Sequence, residues 1–148
     1  ILDAFSEYME LKIVMIGNWE NSGYGKELKE KYNNFKNIFL LDPIYDQNIL
    51  NQIRSNCYVY MHGHSAGGTN PSLMEAMYLG LPVFAYGVEY NKETTQHKAM
   101  YFNDKDELLS LLTNINVEEL KGVASNMQFV AEENYTWEKI SQQYAKLF

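Results

Sequence analysis

Apolar residues fall in five short continuous runs, and between them apolar and polar positions recur at helical spacing. The apolar runs are "LKIVMIG" (11–17), "NIFLLD" (37–42), "CYVYMHG" (57–63), "PVFAYG" (82–87) and a weaker "AMYF" (99–102). Unbroken apolar runs of this length are typical of strands that are covered on both faces. The helical patterns occupy residues 24–34, 46–56, 70–80, 104–114, 117–134 and 137–148.

Strands that alternate with helices over short connections predict an α/β fold: a Rossmann-like, doubly wound parallel sheet flanked by helices. The helix boundaries agree with this pattern, because Asp46 and Thr136 are predicted N-caps and Gly80 is predicted to lie just past a helix end. In such sheets, ligands bind beyond the carboxyl ends of the strands. We therefore expect a site among the loops 17–24, 42–46, 62–71 and 87–93.

The size of the chain predicts one domain over residues 1–148, without repeats or linkers. No apolar run approaches the roughly 20 residues that span a bilayer, so we expect no direct membrane insertion. The start of the chain lacks the basic region and cleavage site of a signal peptide, which favours a cytoplasmic location. Because the first residue is Ile1 rather than Met, we expect a fragment of a longer protein.

Charge and cysteine content exclude several classes of function. The formal net charge is −7, and Arg54 is the single arginine, whereas nucleic-acid binding calls for a basic face. Nucleic acid and anionic lipid are therefore not expected partners of this domain. Cys57 is the single cysteine, which excludes a disulfide framework and a cysteine-based zinc site.

The strongest candidate site is the start of "HGHSAGGTNPSLMEAMYLGLPVFAY" (62–86), which follows one predicted strand and opens a helix. Gly67 and Gly68 permit close approach of the backbone to a bound group. Pro71 fits the first helical position and makes Asn70 the N-cap. The free N–H groups that follow would attract phosphate or carboxylate. An ordinary tight strand-to-helix connection is the alternative, and the turn by itself leaves both open.

No lysine or arginine lies between Arg54 and Lys92, so an anion in this turn would need uncharged donors. The candidates are backbone amides, the hydroxyls of Ser65, Thr69 and Ser72, and the imidazole of His62 or His64.

Glu75 has two interpretations that its sequence context does not separate. The spacing Ser72-x-x-Glu75 matches a capping box, in which the glutamate folds back on the helix start. Alternatively, the carboxylate points toward the cleft and accepts hydrogen bonds from ribose hydroxyls.

Other ligand motifs are absent from the sequence. No two of the three histidines have helical metal-ligand spacing, and no acidic residue accompanies His62 and His64 in their loop, so no metal site is expected. The loop "GNWENSGYG" (17–25) does not have G-x-G-x-x-G spacing, which argues against a dinucleotide site. P-loop and G-x-S-x-G motifs are also absent.

The ordered set of segments from "LKIVMIG" through "NPSLMEAMYLGLPVFAY" and "GVEYNKETTQHKAMYF" to "YTWEKISQQYAKLF" resembles a known family. It is similar to the C-terminal, nucleotide-sugar-binding domain of GT-B glycosyltransferases, especially the family 4-like bacterial capsule and rhamnosyl-type enzymes. The resemblance covers about residues 11–148.

The resemblance implies roles for particular residues. Glu75 matches the second acid of the family's E-x7-E pattern, which holds the donor ribose. The turn around Thr69, Asn70 and Ser72 matches the one that receives the diphosphate. Gly17 matches the glycine that ends the strand beside the nucleoside.

One position departs from the family pattern. The first acid of the pattern falls at Gly67, which suggests a variant donor pocket suited to a deoxysugar such as rhamnose. His64 or Asn70 would then contact the donor sugar. The departure also leaves open whether transfer is retaining or inverting.

For the full protein, the resemblance implies transfer of a sugar from a nucleotide-diphosphate donor to an acceptor hydroxyl in polysaccharide biosynthesis. The saccharide or lipid-linked acceptor would bind an N-terminal domain that, like the first strand of this domain, we expect to be absent here. The chain alone would be inactive, the enzyme would need no cofactor, and the full protein would act in the cytoplasm, at the inner face of the membrane. A nucleotide-sugar epimerase and a non-catalytic Rossmann-like binding module are the alternatives.

Overall fold

The computed structural model describes residues 1–147, which hold five strands and eight α-helices. The strands are β1 (Ile13–Ile16), β2 (Ile38–Leu41), β3 (Tyr60–His62), β4 (Val83–Tyr86) and β5 (Met100–Phe102). The helices are α1 (Leu2–Glu7), α2 (Gly23–Tyr32), α3 (Gln47–Ser55), α4 (Pro71–Tyr78), α5 (Glu89–Thr94), α6 (Lys105–Asn114), α7 (Val117–Asn134) and α8 (Trp137–Ala145), with a short 3₁₀ helix at Trp19–Asn21.

All five predicted strands and all six predicted helices are present, and the boundaries shift by only a few residues. The sequence patterns missed α1 and α5, each of six residues. Both helices are shorter than two turns, which is too short for a helical repeat of apolar positions to emerge.

The predicted helix boundaries are confirmed by hydrogen bonds. The Asp46 side chain caps α3 by accepting from the amides of Asn48 and Ile49, at 2.8 and 3.3 Å. The Thr136 hydroxyl accepts from the Lys139 amide at the start of α8. Gly80, just past the end of α4, has a φ of +65°, a left-handed conformation that glycine adopts without steric cost.

The strands are parallel and belong to two hydrogen-bonded sheets. One sheet pairs β1 with β2 from Ile13↔Ile38 to Ile16↔Leu41, and the other has the order β3–β4–β5. The predicted α/β fold with parallel strands flanked by helices is therefore confirmed, with the strands divided between two sheets.

The three-stranded sheet is covered on both faces. Val83 and Ala85 of β4 point into a cluster with residues of α4 and α7. Phe84, between them, points to the opposite face, where it packs against Phe102 and Leu108. All three β4 residues have no exposed surface, which explains why this strand reads as an unbroken apolar run.

The two-stranded sheet is covered on one face. There Ile13 and Ile38 pack against Leu2 and Phe5 of α1 and Tyr32 of α2.

The opposite face of the two-stranded sheet is open to solvent. Val14 and Phe39 are directly paired across the sheet, and their side chains are 43% and 42% exposed. This half of the domain is thus apolar on a face that residues 1–147 leave uncovered.

The longest helix, α7, has 18 residues and carries several charged side chains. In the described part of the chain, none of the helices combines the length and hydrophobicity needed to cross a bilayer.

Candidate functional site

The connection from β3 to α4 forms an open turn at the carboxyl end of the three-stranded sheet. Gly67 has a φ of +116°, a conformation that side chains other than glycine rarely adopt. A Cβ added at Gly67 or Gly68 would meet no atom within 4 Å. The backbone of this turn is therefore accessible to a bound group, as the sequence predicted.

The start of α4 is capped by its own side chains. Pro71 is the first helical residue and Asn70 is the N-cap, as predicted. The Asn70 Oδ1 atom accepts from the Ser72 amide at 3.0 Å and from the Ser72 hydroxyl at 2.7 Å. The Tyr60 hydroxyl donates to the Ser72 Oγ atom at 3.0 Å. These contacts connect β3 to the helix start.

The capping contacts change which donors are available to an anion. We expected the amides after Pro71 to be free, but the Ser72 amide already donates to Asn70. Within residues 1–147, the amides of Gly67, Gly68 and Thr69 donate to no protein acceptor. The donors open to an anion thus lie in the turn itself, just before the helix.

Glu75 does not form the capping box that its spacing from Ser72 allowed. With Asn70 as the N-cap, the capping-box position is Leu73, so Glu75 lies too far along the helix to fold back on its start. Instead, the Glu75 Oε2 atom is 2.6 Å from the Nη1 atom of Arg54, and the Glu75 side chain is 42% exposed.

Arg54 is the partner that the sequence analysis missed. It lies in the last turn of α3, where a cation interacts favourably with the helix dipole. Its side chain is only 10% exposed. The one signal that could have identified it is a lone arginine at the end of an amphipathic helix.

His62 and His64 differ in environment although they lie two residues apart. Their rings stack with centroids 4.7 Å apart, but His62 is 1% exposed while His64 is exposed. Burial, with a smaller contribution from His64, lowers the pKa of His62 to about 4. Neither ring nitrogen of His62 has a hydrogen-bond partner among the described residues, so this histidine is buried without a hydrogen bond.

Asn91 of α5 fixes the loop that follows β3. Its side-chain nitrogen donates to the His64 carbonyl at 3.0 Å and to the Tyr86 carbonyl at 2.9 Å. Because Asn91 is 1% exposed, this link between the ends of β3 and β4 is shielded from water.

Two cavities flank the turn. The first, of about 340 Å³, lies at the carboxyl ends of β3, β4 and β5, and Ser65 lines it together with Asp104 and Lys105. The second, of about 630 Å³, lies toward α5, and Gly68 and Thr69 line it. The predicted site residues of the turn therefore face two different spaces.

Gly17 lies at the end of β1, where its amide donates to the Leu41 carbonyl. The buried indole of Trp19 donates to the same carbonyl at 2.7 Å. A Cβ at Gly17 would meet the Trp19 ring at 3.6 Å, an ordinary contact. The structure places Gly17 against Trp19 and in neither of the two cavities.

Three ligand-type side chains meet on α5 and just beyond it. Glu89, Glu93 and His97 are exposed, and their ligand atoms lie within 4.8 Å of one another. This i, i+4, i+8 spacing contains only one histidine, so the spacing between histidines does not reveal it. Exposed acidic groups commonly lie this close without an ion, and the cluster is a solvated helix face.

Comparisons with known proteins point to one family. The profile of the family described as "Glycosyl transferases group 1" matches residues 1–114. "Glycosyltransferase 1 domain-containing protein 1" of Xenopus tropicalis is 24% identical over 139 residues, which cover 91% of this chain and 40% of that protein.

Solved structures show the same fold. Anabaena Alr3699/HepE in complex with UDP superposes with a TM-score of 0.84 at 21% identity, over 99% of this chain and 43% of that one. The pneumococcal O-GlcNAc transferase GtfA in complex with UDP and GlcNAc superposes with a TM-score of 0.69 at 19% identity, over 99% of this chain and 31% of that one. The chain thus spans less than half the length of these proteins.

Proposed function

Because this chain belongs to the group 1 glycosyltransferases, we propose that it binds the nucleotide diphosphate of a sugar donor. The full protein would transfer the sugar to an acceptor hydroxyl. The observation that carries the proposal is the open turn at Gly67 and Gly68, whose amides donate to no acceptor within residues 1–147; the half-exposed Glu75 carboxylate follows on the helix that this turn opens.

The turn supplies donors suited to a diphosphate. The amides of Gly67, Gly68 and Thr69 lie immediately before the N-terminus of α4, where backbone N–H groups and the helix dipole both favour negative charge. The Ser65 hydroxyl is exposed in the same loop. Asn70 and Ser72 would act indirectly, by capping the helix and holding the turn in place.

Glu75 is proposed to accept hydrogen bonds from the ribose hydroxyls. A carboxylate has about four acceptor sites on its two oxygens. Within residues 1–147, the one contact given for the Glu75 carboxylate joins Oε2 to Arg54. The other oxygen belongs to a side chain that is 42% exposed.

Gly17 is assigned to the nucleoside by the sequence resemblance, and that role stays a prediction.

The proposed chemistry depends on stabilising the leaving nucleoside diphosphate. Amides held by the backbone of the turn would need little reorganisation as the charge of the diphosphate grows. We propose that neither a metal nor an organic cofactor takes part. This part of the proposal can be tested directly, because a metal ion could bind the cluster of Glu89, Glu93 and His97. Added Mg²⁺ or Mn²⁺ should not change the affinity for the nucleotide.

The acceptor is proposed to bind a companion domain outside residues 1–148. The chain spans 40% of its Xenopus relative, and the sheet is split into two parts with exposed Val14 and Phe39 on one of them. Both observations support an additional strand and a second domain in the full protein. Closure of the two domains would exclude water and align the acceptor.

The finer assignments stay predictions from the sequence resemblance. They include family 4, the capsule or rhamnosyl type, a bacterial source, and a cytoplasmic protein at the inner face of the membrane. For the donor sugar, His64 is the better of the two candidates, because its ring is exposed whereas the Asn70 side chain is occupied by Ser72.

The test is titration of the chain with UDP, GDP and dTDP, followed by amide NMR shifts and calorimetry. We expect one nucleotide to bind with shifts concentrated at residues 64–75. Glu75→Gln should weaken that binding about tenfold, in line with loss of a hydrogen bond to a charged group. Glu118→Gln, in the exposed first turn of α7, is the matched control and should leave binding unchanged.

Absence of shifts with all three nucleotides would overturn the proposal and favour a structural or partner-binding module. Shifts confined to residues outside 64–75 would overturn the assigned site.

A further inference from the structure

We propose that Arg54 is a positioning residue, which holds one oxygen of the Glu75 carboxylate so that the other is presented to the ribose hydroxyls of the donor. This inference rests on the proposed function and extends it to a residue on a different helix. Arg54 would act through Glu75 rather than touch the nucleotide.

The ion pair between Arg54 and Glu75 is a close contact between two single atoms. Arg54 Nη1 lies 2.6 Å from Glu75 Oε2. The Nη1 hydrogens are not aligned for a regular hydrogen bond, so the contact is a close ion pair. Within residues 1–147, no hydrogen bond reaches Oε1 of Glu75, so the pair lacks the two parallel hydrogen bonds of a bidentate fork.

Burial is unequal across the pair, which makes Arg54 the fixed member. The Arg54 side chain is 10% exposed and the Glu75 side chain is 42% exposed. Arg54 belongs to the last turn of α3, and its charge acts on the Tyr60 hydroxyl, whose pKa it lowers although burial raises that pKa overall. The buried cation is therefore paired with a carboxylate of α4 that is itself partly exposed to solvent.

This arrangement prepares the carboxylate for a ligand. A free glutamate side chain samples many rotamers, and binding must order it at a cost in free energy. A buried charge whose partner is removed is strongly unfavourable, so Arg54 holds Glu75 in place before the nucleotide arrives. The alternative interpretation is that Arg54 has a purely structural role and stabilises the packing of α3 against α4.

The two interpretations differ in how affinity depends on the ribose hydroxyls. The experiment measures the dissociation constants of whichever of UDP and GDP binds more tightly, since both carry the 2′- and 3′-hydroxyls, and of its 2′,3′-dideoxy analogue. Wild type should prefer the hydroxylated form about tenfold or more. The variants are Arg54→Met, Arg54→Lys, Glu75→Gln and the double variant Arg54→Met/Glu75→Gln.

We expect Arg54→Met to reduce the preference to about twofold, and Arg54→Lys, which keeps the cation without the planar fork, to give an intermediate value. The double variant should match Glu75→Gln alone, because two residues that act through one contact are not additive. If Arg54→Met does not fold, Arg54→Lys carries the test, since it keeps the charge at the helix end.

Several outcomes would overturn the inference. If the Arg54 variants weaken both nucleotides by the same factor, or leave the preference at its wild-type value, Arg54 is structural and the proposed nucleotide site stands. If the wild-type chain binds the nucleotide and its dideoxy analogue equally well, Glu75 does not contact the ribose hydroxyls, and this inference is wrong. Failure of the wild-type chain to bind any of the three nucleotides overturns the proposed function itself.

Discussion

Two glycine-containing loops leave the carboxyl ends of parallel strands, and the structure treats them in opposite ways. The loop after β1 is filled by Trp19, whose side chain is 6% exposed and bonds to the Leu41 carbonyl. The loop after β3 contains no large apolar side chain, and its glycines at 67 and 68 face open space.

The contrast shows that glycine content does not by itself identify a ligand loop. Gly25, in the first turn of α2 just after the first loop, is needed because its Cβ would lie 2.5 Å from the Trp19 carbonyl oxygen. Gly67 is needed because the backbone takes a left-handed turn in open space. Glycine is thus needed where α2 packs against the first loop, whereas in the second loop glycine leaves the backbone accessible.

Replacing the indole that fills the first loop should have the largest effect on stability. Trp19→Ala removes a buried aromatic side chain and its hydrogen bond, and should lower the free energy of unfolding by about 3–5 kcal/mol. The matched control is Trp137→Ala, which removes a side chain that is 86% exposed and should cost less than about 0.5 kcal/mol. Urea unfolding followed by circular dichroism compares the two, and equal losses would contradict the comparison.

Two glycines of α2 should respond to alanine with opposite signs. A Cβ at Gly25 would lie 2.5 Å from the Trp19 carbonyl oxygen, and because the neighbour is backbone, Gly25→Ala should cost about 3 kcal/mol. At Gly23 nothing lies within 4 Å, so Gly23→Ala should stabilise the helix by up to about 1 kcal/mol. Thermal and urea unfolding measure both changes, and a tolerated Gly25→Ala would show that the loop is not closed.

Burial of His62 beneath the second loop should make stability depend on pH. Its pKa is lowered from 6.5 to about 4, so between these values the unfolded chain binds a proton that the folded chain does not. Stability is therefore fully present above about pH 6.5 and is lost as the pH falls toward 4. From pH 7.5 to pH 5 this histidine should contribute a loss of about 2 kcal/mol.

His62→Gln should remove that part of the pH dependence, measured as the free energy of unfolding at several pH values. His97→Gln, at a side chain that is 58% exposed, should leave it intact. If the free energy of unfolding of His62→Gln depends on pH as steeply as that of wild type, His62 is not the group that causes the pH dependence.

The smallest effect is expected at the tip of the open loop. Gly67→Ala places a side chain at a φ of +116° without any steric neighbour, so backbone strain alone should cost about 1 kcal/mol. Gly68→Ala, where φ is not left-handed and space is open, should change stability by less than about 0.5 kcal/mol. Urea unfolding of the pair gives the comparison, and a larger loss at Gly68 would mean that the loop is packed rather than open.

The fold could be predicted because its signals are local. The apolar run of β4 and the caps Asp46, Asn70 and Thr136 each act within a few residues of their partners, and these spacings are visible in the sequence. For the candidate site, the sequence predicted the accessible glycine turn before α4. It left the orientation of Glu75 open and did not reveal the pairing with Arg54, and the binding roles of these residues stay predictions.

The sequence by itself determined the five strands, the six longer helices and the turn before α4, because each depends on neighbours along the chain. It did not determine α1 and α5, which are too short for a helical repeat of apolar positions. Only the tertiary structure decided that Arg54 holds Glu75, that Trp19 fills the loop after β1, and that the strands form two sheets. These outcomes depend on which side chains from distant segments meet in space. The free energies of burial and of ion pairing depend on these long-range contacts, which residue spacing along the chain does not reveal.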